Sequence, residues 1–159
     1  MTAPAQAPAP PLALLAEITH RCPMRCLYCS NPLELVAPSG ELEEAVWLRV
    51  LEEAADLGVL QVHFSGGEPL ARRDIFRLIA HAARHGLYTN LITSGIRLDD
   101  RVAAHLADAG LEHVQLSVQD TEPAGVEFMG GLEGALEHKH RAAEAIVAAG
   151  LALTLNAVL

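Results

Sequence analysis

From residue 12 onward the chain repeats one pattern: a short apolar run, a polar or glycine-rich corner, an amphipathic stretch with helical spacing, and a glycine that opens the next run. That alternation predicts βα units and a parallel sheet. The apolar runs 12–18, 59–64, 87–92, 111–118 and 151–158 are the predicted strands. Between the first two, Ser39 is placed to cap a helix whose Leu42, Val46, Val50, Leu51, Ala54 and Leu57 share one face. Glu41, Glu43 and Glu44 lie near its positive end. Further helices are predicted over 74–85, from an Asp99 cap to Ala109, and over 136–149. Gly58, Gly86, Gly110 and Gly150 stop the helices, at intervals close to the roughly 30 residues of a βα unit. Residues 120–134, with Gly125, Gly130, Gly131 and Gly134 and little periodicity, are expected to form a mobile loop or lid.

Polarity also alternates within the strands. In the fourth, Val114, Leu116 and Val118 point one way and Gln115, Ser117 and Gln119 the other, which predicts a polar barrel interior. Thr93 and Ser94, and then Thr154 and Asn156, repeat that polarity in the third and fifth runs. His63 shares the polar face of its strand, where a lone histidine reads as a satisfied core residue. His138 and His140, beside the only lysine, Lys139, read as part of a solvated helix face.

With 159 residues and 51% hydrophobic content, the chain suits one domain with a substantial core. Residues 1–11 alternate Ala and Pro without a charge and read as a loose extended tail, leaving 12–159 as the core. A net charge of -9 without a basic stripe argues against nucleic acid as a partner. No apolar run approaches the roughly 18–20 residues of a membrane span, and the start lacks the basic region of a signal peptide, so the expected location is cytoplasmic, with no membrane partner.

Three cysteines within eight positions are a poor disulfide framework and a good ligand cluster in a reducing compartment. Cys22, Cys26 and Cys29 form CxxxCxxC, and Pro23 and Pro32 favour a loop over a helix. The loop follows the first strand, at the strand end where barrel enzymes place their active sites. Three thiolates could hold three irons of a 4Fe-4S cluster and leave the fourth iron open to a small molecule. A zinc site with His20 as fourth ligand is the competing arrangement. At the end of the second run, Ser65-Gly66-Gly67-Glu68-Pro69 offers backbone that a ligand can approach closely.

The segment Cys22-Pro23-Met24-Arg25-Cys26-Leu27-Tyr28-Cys29 resembles the signature of the radical S-adenosylmethionine (radical SAM) superfamily, and Gly66-Gly67-Glu68 resembles its GGE motif. The resemblance implies an α/β fold, a partial TIM barrel of the (β/α)6 type, here truncated after about the fifth strand. It implies a 4Fe-4S cluster on Cys22, Cys26 and Cys29, with S-adenosyl-L-methionine on the open iron and Tyr28 against the adenine. Gly66, Gly67, Glu68 and Pro69 would meet the methionine part of the cofactor, with the Glu68 carboxylate on its ammonium. Ser94, Ser117, Gln119 and Asn156 would meet ribose and carboxylate oxygens.

Within the superfamily, residues 20–22 and 29–35, together with 113–120 and 153–158, resemble the PqqA peptide cyclase family of pyrroloquinoline quinone biosynthesis. Val118 stands where that family leads one to expect Phe. The resemblance implies reductive cleavage of S-adenosylmethionine to a 5'-deoxyadenosyl radical, which forms a Glu–Tyr carbon–carbon crosslink in the PqqA precursor peptide. The implied partners are that peptide, the PqqD peptide chaperone, and a reductase or flavodoxin as electron donor. Another radical peptide maturase, or a non-catalytic metal-binding barrel fragment, are the alternatives. The family continues into a sixth strand and a cysteine-rich SPASM domain, whereas no cysteine follows Cys29, so the chain reads as an incomplete core without that domain. The free edge of the fifth strand is an expected aggregation hazard.

Overall fold

Side chains of alternating polarity become the two faces of a sheet only once the strands are in register. In the computed structural model, which describes residues 9–31 and 40–157, the strands are β1 (Ala13–Thr19), β2 (Gln61–Gly66), β3 (Tyr88–Thr93), β4 (His113–Val118) and β5 (Ala152–Ala157). They pair in parallel, in chain order. The register aligns Ala16, Phe64, Leu91, Val114 and Leu153 in one row across the sheet. That row faces the helices, and its first four members are buried. The neighbouring row, Leu15, His63, Asn90, His113 and Ala152, lies on the opposite, more polar face. The alternation read from the fourth run is therefore the helix-covered face and the more polar face of a parallel α/β sheet.

The helices are α1 (Glu44–Asp56), α2 (Ile75–Arg84), α3 (Asp100–Asp108), α4 (Pro123–Gly130) and α5 (Ala135–Ala148), with one 3-10 turn at Pro69–Ala71. Leu51 and Ala54 of α1, Leu78, Ile79 and Ala82 of α2, Leu106 of α3, and Ala142 and Ile146 of α5 join the strand row in one continuous core. Burying side chains of this size contributes about 1.5–3 kcal/mol each for the larger aliphatics, which is what holds the short helices on the sheet. Asp99 caps α3 as expected, its carboxylate accepting the Val102 N–H at 2.8 Å.

Three expectations change. The first helix begins at Glu44 and is preceded by Glu43, which makes no side-chain cap bond; Ser39 lies outside the described residues, as does the tail up to residue 8. The strand end at β2 runs two residues past Phe64, because Glu17 and Thr19 pair with Ser65 and Gly66. The segment 120–134, expected to be a loop, contains α4. Asp120 accepts the N–H groups of Thr121 and Glu122, Pro123 starts the helix where a missing N–H costs nothing, and Gly131 ends it in the left-handed region. Val126 is buried against Met24 and Ala135, which holds the helix in place.

A buried ion pair joins the sheet to the segments above it. Arg72 donates to the carbonyls of Ile18 and Leu42 at 2.9 and 3.0 Å and makes a two-pronged contact with Asp74, the residue before α2. The Arg72 guanidinium holds the Asp74 carboxyl below its ordinary range, outweighing the opposing effect of burial. A carboxyl depressed in the folded state contributes stability that is present above the unfolded value of about 3.9 and is lost as pH falls through the folded value. Asp74→Asn is expected to lower stability at neutral pH and to flatten the loss of stability on acidification. Urea unfolding at about pH 7 and about pH 3 measures both effects.

Candidate active site

The carboxyl ends of the strands gather on one side of the sheet, and there the loops after β1 and β2 touch. Gly67 N–H donates to the Thr19 carbonyl at 2.6 Å, and Glu68 N–H donates to the Arg21 carbonyl at 2.7 Å. This continues the β1–β2 pairing into the two loops and fixes the root of the cysteine loop against the glycine corner. The approach leaves no room for side chains: a Cβ on Gly66 would stand 2.1 Å from the Thr19 carbonyl oxygen, and one on Gly67 would stand 2.5 Å from that of Arg21. Gly66 also has φ +122, a conformation that L side chains avoid.

Beyond that root, the cysteine loop leans on α4. Arg25 N–H donates to the Gly130 carbonyl and Leu27 N–H to the Met129 carbonyl, at 2.8 and 2.9 Å. These are carbonyls at the end of a helix, which lack partners within it. Met24 packs into the small cluster of Val126 and Ala135, with Cys22 and Cys26 at its edge. Cys22 and Cys26 are half-buried, and Cys29 is exposed.

A single pocket is lined by Cys22, Cys26, Cys29 and Tyr28 on one side and by Gly66, Gly67, Ser94, Ser117, Gln119 and Asn156 on the other. The three cysteines and seven further sequence-derived candidates, contributed by five loops and strand ends, thus share one cavity, together with Met24, Ser65, Ile92 and Thr93. Glu68 and Pro69 do not line it. Glu68 is fully buried behind the wall, where its carboxylate accepts from Thr93 Oγ1, from Ser94 N and Oγ, and from Leu70 N. Its visible task is to fasten the end of β3 to the corner after β2.

The donor set suits a multi-iron cluster better than one ion. A tetrahedral zinc, with Zn–S near 2.3 Å, needs its sulfurs about 3.8 Å apart. Among the described residues the three sulfurs, with or without His20, form no grouping in which all ligand atoms lie within 4.8 Å. Thiolates on separate irons stand farther apart than thiolates on one ion. The His20 ring instead meets the Asn31 side-chain oxygen at 2.7 Å. Burial pushes the Cys22 and Cys26 thiols up, with Cys29 adding to the effect on Cys26, so loading the site as thiolates releases protons.

Two charged residues that organise this region carried no functional reading in the sequence. One is Arg72, described above. The other is Lys139 on α5, almost fully buried, whose Nζ donates to the carbonyls of Ser94 and Ser117 at 2.7 and 2.8 Å and reaches Met24 Sδ at 3.8 Å. His138 and His140 on either side are exposed, as expected, but Lys139 shares the inward face of Ala135, Ala142 and Ile146. That helical spacing was the available signal. Burial pushes its ammonium down to about 8, while Cys26, Glu68 and Cys22 pull it back up.

Two substitutions test this scaffold by urea unfolding. Gly66→Ala should cost about 3 kcal/mol or more, combining backbone strain with a clash against backbone. Lys139→Met should cost about 1–3 kcal/mol, because the carbonyls of Ser94 and Ser117 lose their buried donor. Unchanged midpoints would contradict the geometry.

Comparisons with known proteins bear on the family and the fold. The radical SAM superfamily model matches residues 16–159. The PqqA peptide cyclase of Gluconobacter oxydans is 58% identical over 151 residues, covering 95% of this chain and 42% of that protein. That of Methylocella silvestris is 57% identical over 149 residues, covering 94% of this chain and 40% of the relative. The chain therefore spans about 40% of the length of these curated relatives. Among solved structures, Streptococcus suis SuiB bound to precursor peptide SuiA superposes with a TM-score of 0.81 at 23% identity, covering 94% of this chain and 33% of that one. Native anSMEcpe with bound AdoMet gives 0.73 at 23% identity, covering 90% of this chain and 42% of that one. At such identities the likeness establishes the fold. With a family model spanning nearly all of the core and the cysteine loop seated at the carboxyl ends of its parallel strands, this chain belongs to the radical SAM superfamily.

Proposed function

We infer that this chain is the cofactor-cleaving core of a PqqA peptide cyclase. The carrying observation is the single pocket that three cysteines and Tyr28 line together with the Gly66-Gly67 corner and the strand-end residues Ser94, Ser117, Gln119 and Asn156. Cys22, Cys26 and Cys29 would hold a 4Fe-4S cluster, and the rest of the pocket would take S-adenosylmethionine. When bound, this pair supplies one-electron cleavage of the sulfonium bond and, through it, hydrogen abstraction from a peptide carbon.

The chain's own residues bind, orient and exclude water. The Gly66 and Gly67 backbone lets a ligand approach the wall closely, and the Tyr28 ring at the rim offers an apolar face to a base. Ser94, Ser117, Gln119 and Asn156 supply hydroxyl and amide groups for cofactor oxygens. Glu68 and Pro69 act from behind the wall, with Glu68 holding Ser94 in position. Met24, Val126 and Ala135 form an apolar floor beneath the cysteines.

The substrate reading rests on the likeness to the PqqA peptide cyclases. The peptide would be the PqqA precursor, brought by PqqD, with a reductase or flavodoxin supplying the electron and a Glu–Tyr crosslink as product. The fold shared with SuiB, solved with its precursor peptide SuiA, favours a peptide over a small molecule. The remainder of the longer relatives, including a SPASM domain, would complete peptide handling. The described residues contain no helix long and apolar enough to cross a membrane, in keeping with a cytoplasmic setting.

Anaerobic reconstitution with iron and sulfide should give thiolate-to-iron charge-transfer absorption and about four irons per chain. Cys26→Ala should abolish both. Uptake of zinc without iron would overturn the cluster. In a full-length protein supplied with PqqA and PqqD, cofactor cleavage without a crosslink in the peptide mass spectrum would remove the cyclase assignment and leave the superfamily chemistry standing.

A further inference from the structure

The outer helical layer carries a second set of metal-ligating side chains, at the end of the sheet opposite the cysteine loop. His81 lies in the last turn of α2, and His85, four residues on, is its C-cap. Glu52 projects from the last turns of the neighbouring α1. One ligand atom from each of the three lies within 4.8 Å of the other two. Residues four apart on a helix share a face, so α2 brings two imidazoles together, with ring centroids 4.3 Å apart, and α1 adds a carboxylate. None of the three lines the cysteine pocket.

Two details prepare this group for a cation. His85 Nδ1 stands 2.9 Å from the His81 carbonyl oxygen. A carbonyl can only accept, so Nδ1 carries the proton, and Nε2 of the neutral ring keeps a lone pair free. A backbone carbonyl taking the far ring proton is the arrangement that orients metal-bound imidazoles. His81 supplies the second detail: Arg84 can only donate and stands at its Nδ1, so in the neutral ring the buried Nε2 carries the proton and Nδ1 keeps the lone pair that a cation would use. The cation beside the group is Arg84, whose Nη2 is 3.4 Å from His81 Nδ1. It is exposed on a long side chain and free to swing into water.

We propose that Glu52, His81 and His85 bind a divalent transition cation of the zinc type and thereby clamp α1 to α2. Two imidazoles and one carboxylate suit a borderline cation and leave a fourth position for water. This site is independent of the cysteine loop in both place and ligand chemistry.

Cobalt(II) is the probe, because sulfur ligands add a sulfur-to-cobalt charge-transfer band that nitrogen and oxygen ligands lack. The full chain, kept anaerobic, is titrated with Co2+ and followed by absorption. The expected result is a d–d signal from a nitrogen–oxygen site that survives Cys26→Ala. His85→Ala and Glu52→Gln should each weaken that signal's apparent affinity by more than about tenfold while leaving any sulfur-to-cobalt band unchanged. Both residues are exposed, and circular dichroism checks that the variants are folded. Identical titrations for the parent, His85→Ala and Glu52→Gln would overturn the proposal, as would loss of all cobalt binding in Cys26→Ala. Because the Cys26→Ala arm separates the two sites, failure here leaves the cluster assignment untouched.

Discussion

The upper end of this molecule depends on the backbone of Gly66 and Gly67 lying in direct contact with the backbone of Thr19, His20 and Arg21. The β1–β2 register continues past the strands because two residues without side chains permit it. The cysteine loop starts from that contact, so the position of the thiols relative to the pocket wall is set by peptide hydrogen bonds rather than by long flexible side chains. A methyl group at either glycine would push the loop away from the wall it must face.

Buried charges then lock the remaining loops to one another. Glu68 draws the end of β3 onto the glycine corner, Arg72 ties Ile18 and Leu42 to Asp74, and Lys139 spans from α5 to the carbonyls after β3 and near the end of β4. Each charge would be expensive to bury alone, and each is surrounded by several partners. Such groups contribute less to net stability than their contacts suggest, but losing any one partner is costly. Their spacing around the pocket holds strand ends and loops in one arrangement before a ligand arrives, which is the condition for a preorganised site.

The structure also altered the reading of residues 120–134. Four glycines and weak periodicity suggested a lid, yet Pro123, the Asp120 turn and the burial of Val126 make a helix whose last carbonyls hold the cysteine loop. A helix of this length gains its stability from what it packs against, and its partner, Met24, is about a hundred residues away in sequence.

Local chemistry is what the sequence alone determined. The βα alternation, the Asp99 cap, the CxxxCxxC loop, the glycine corner and the polar strand ends are properties of neighbouring residues, so they could be read from spacing. The gathering of Tyr28, Ser94, Ser117, Gln119 and Asn156 around the cysteines was implied only through a family resemblance. Tertiary structure decided which groups would be buried together. Lys139 looked like part of a solvated face between His138 and His140, Glu68 like a pocket wall, and Arg72 carried no functional reading. Their roles depend on long-range partners 22 to 115 positions distant, and no local pattern encodes how much water such a contact excludes.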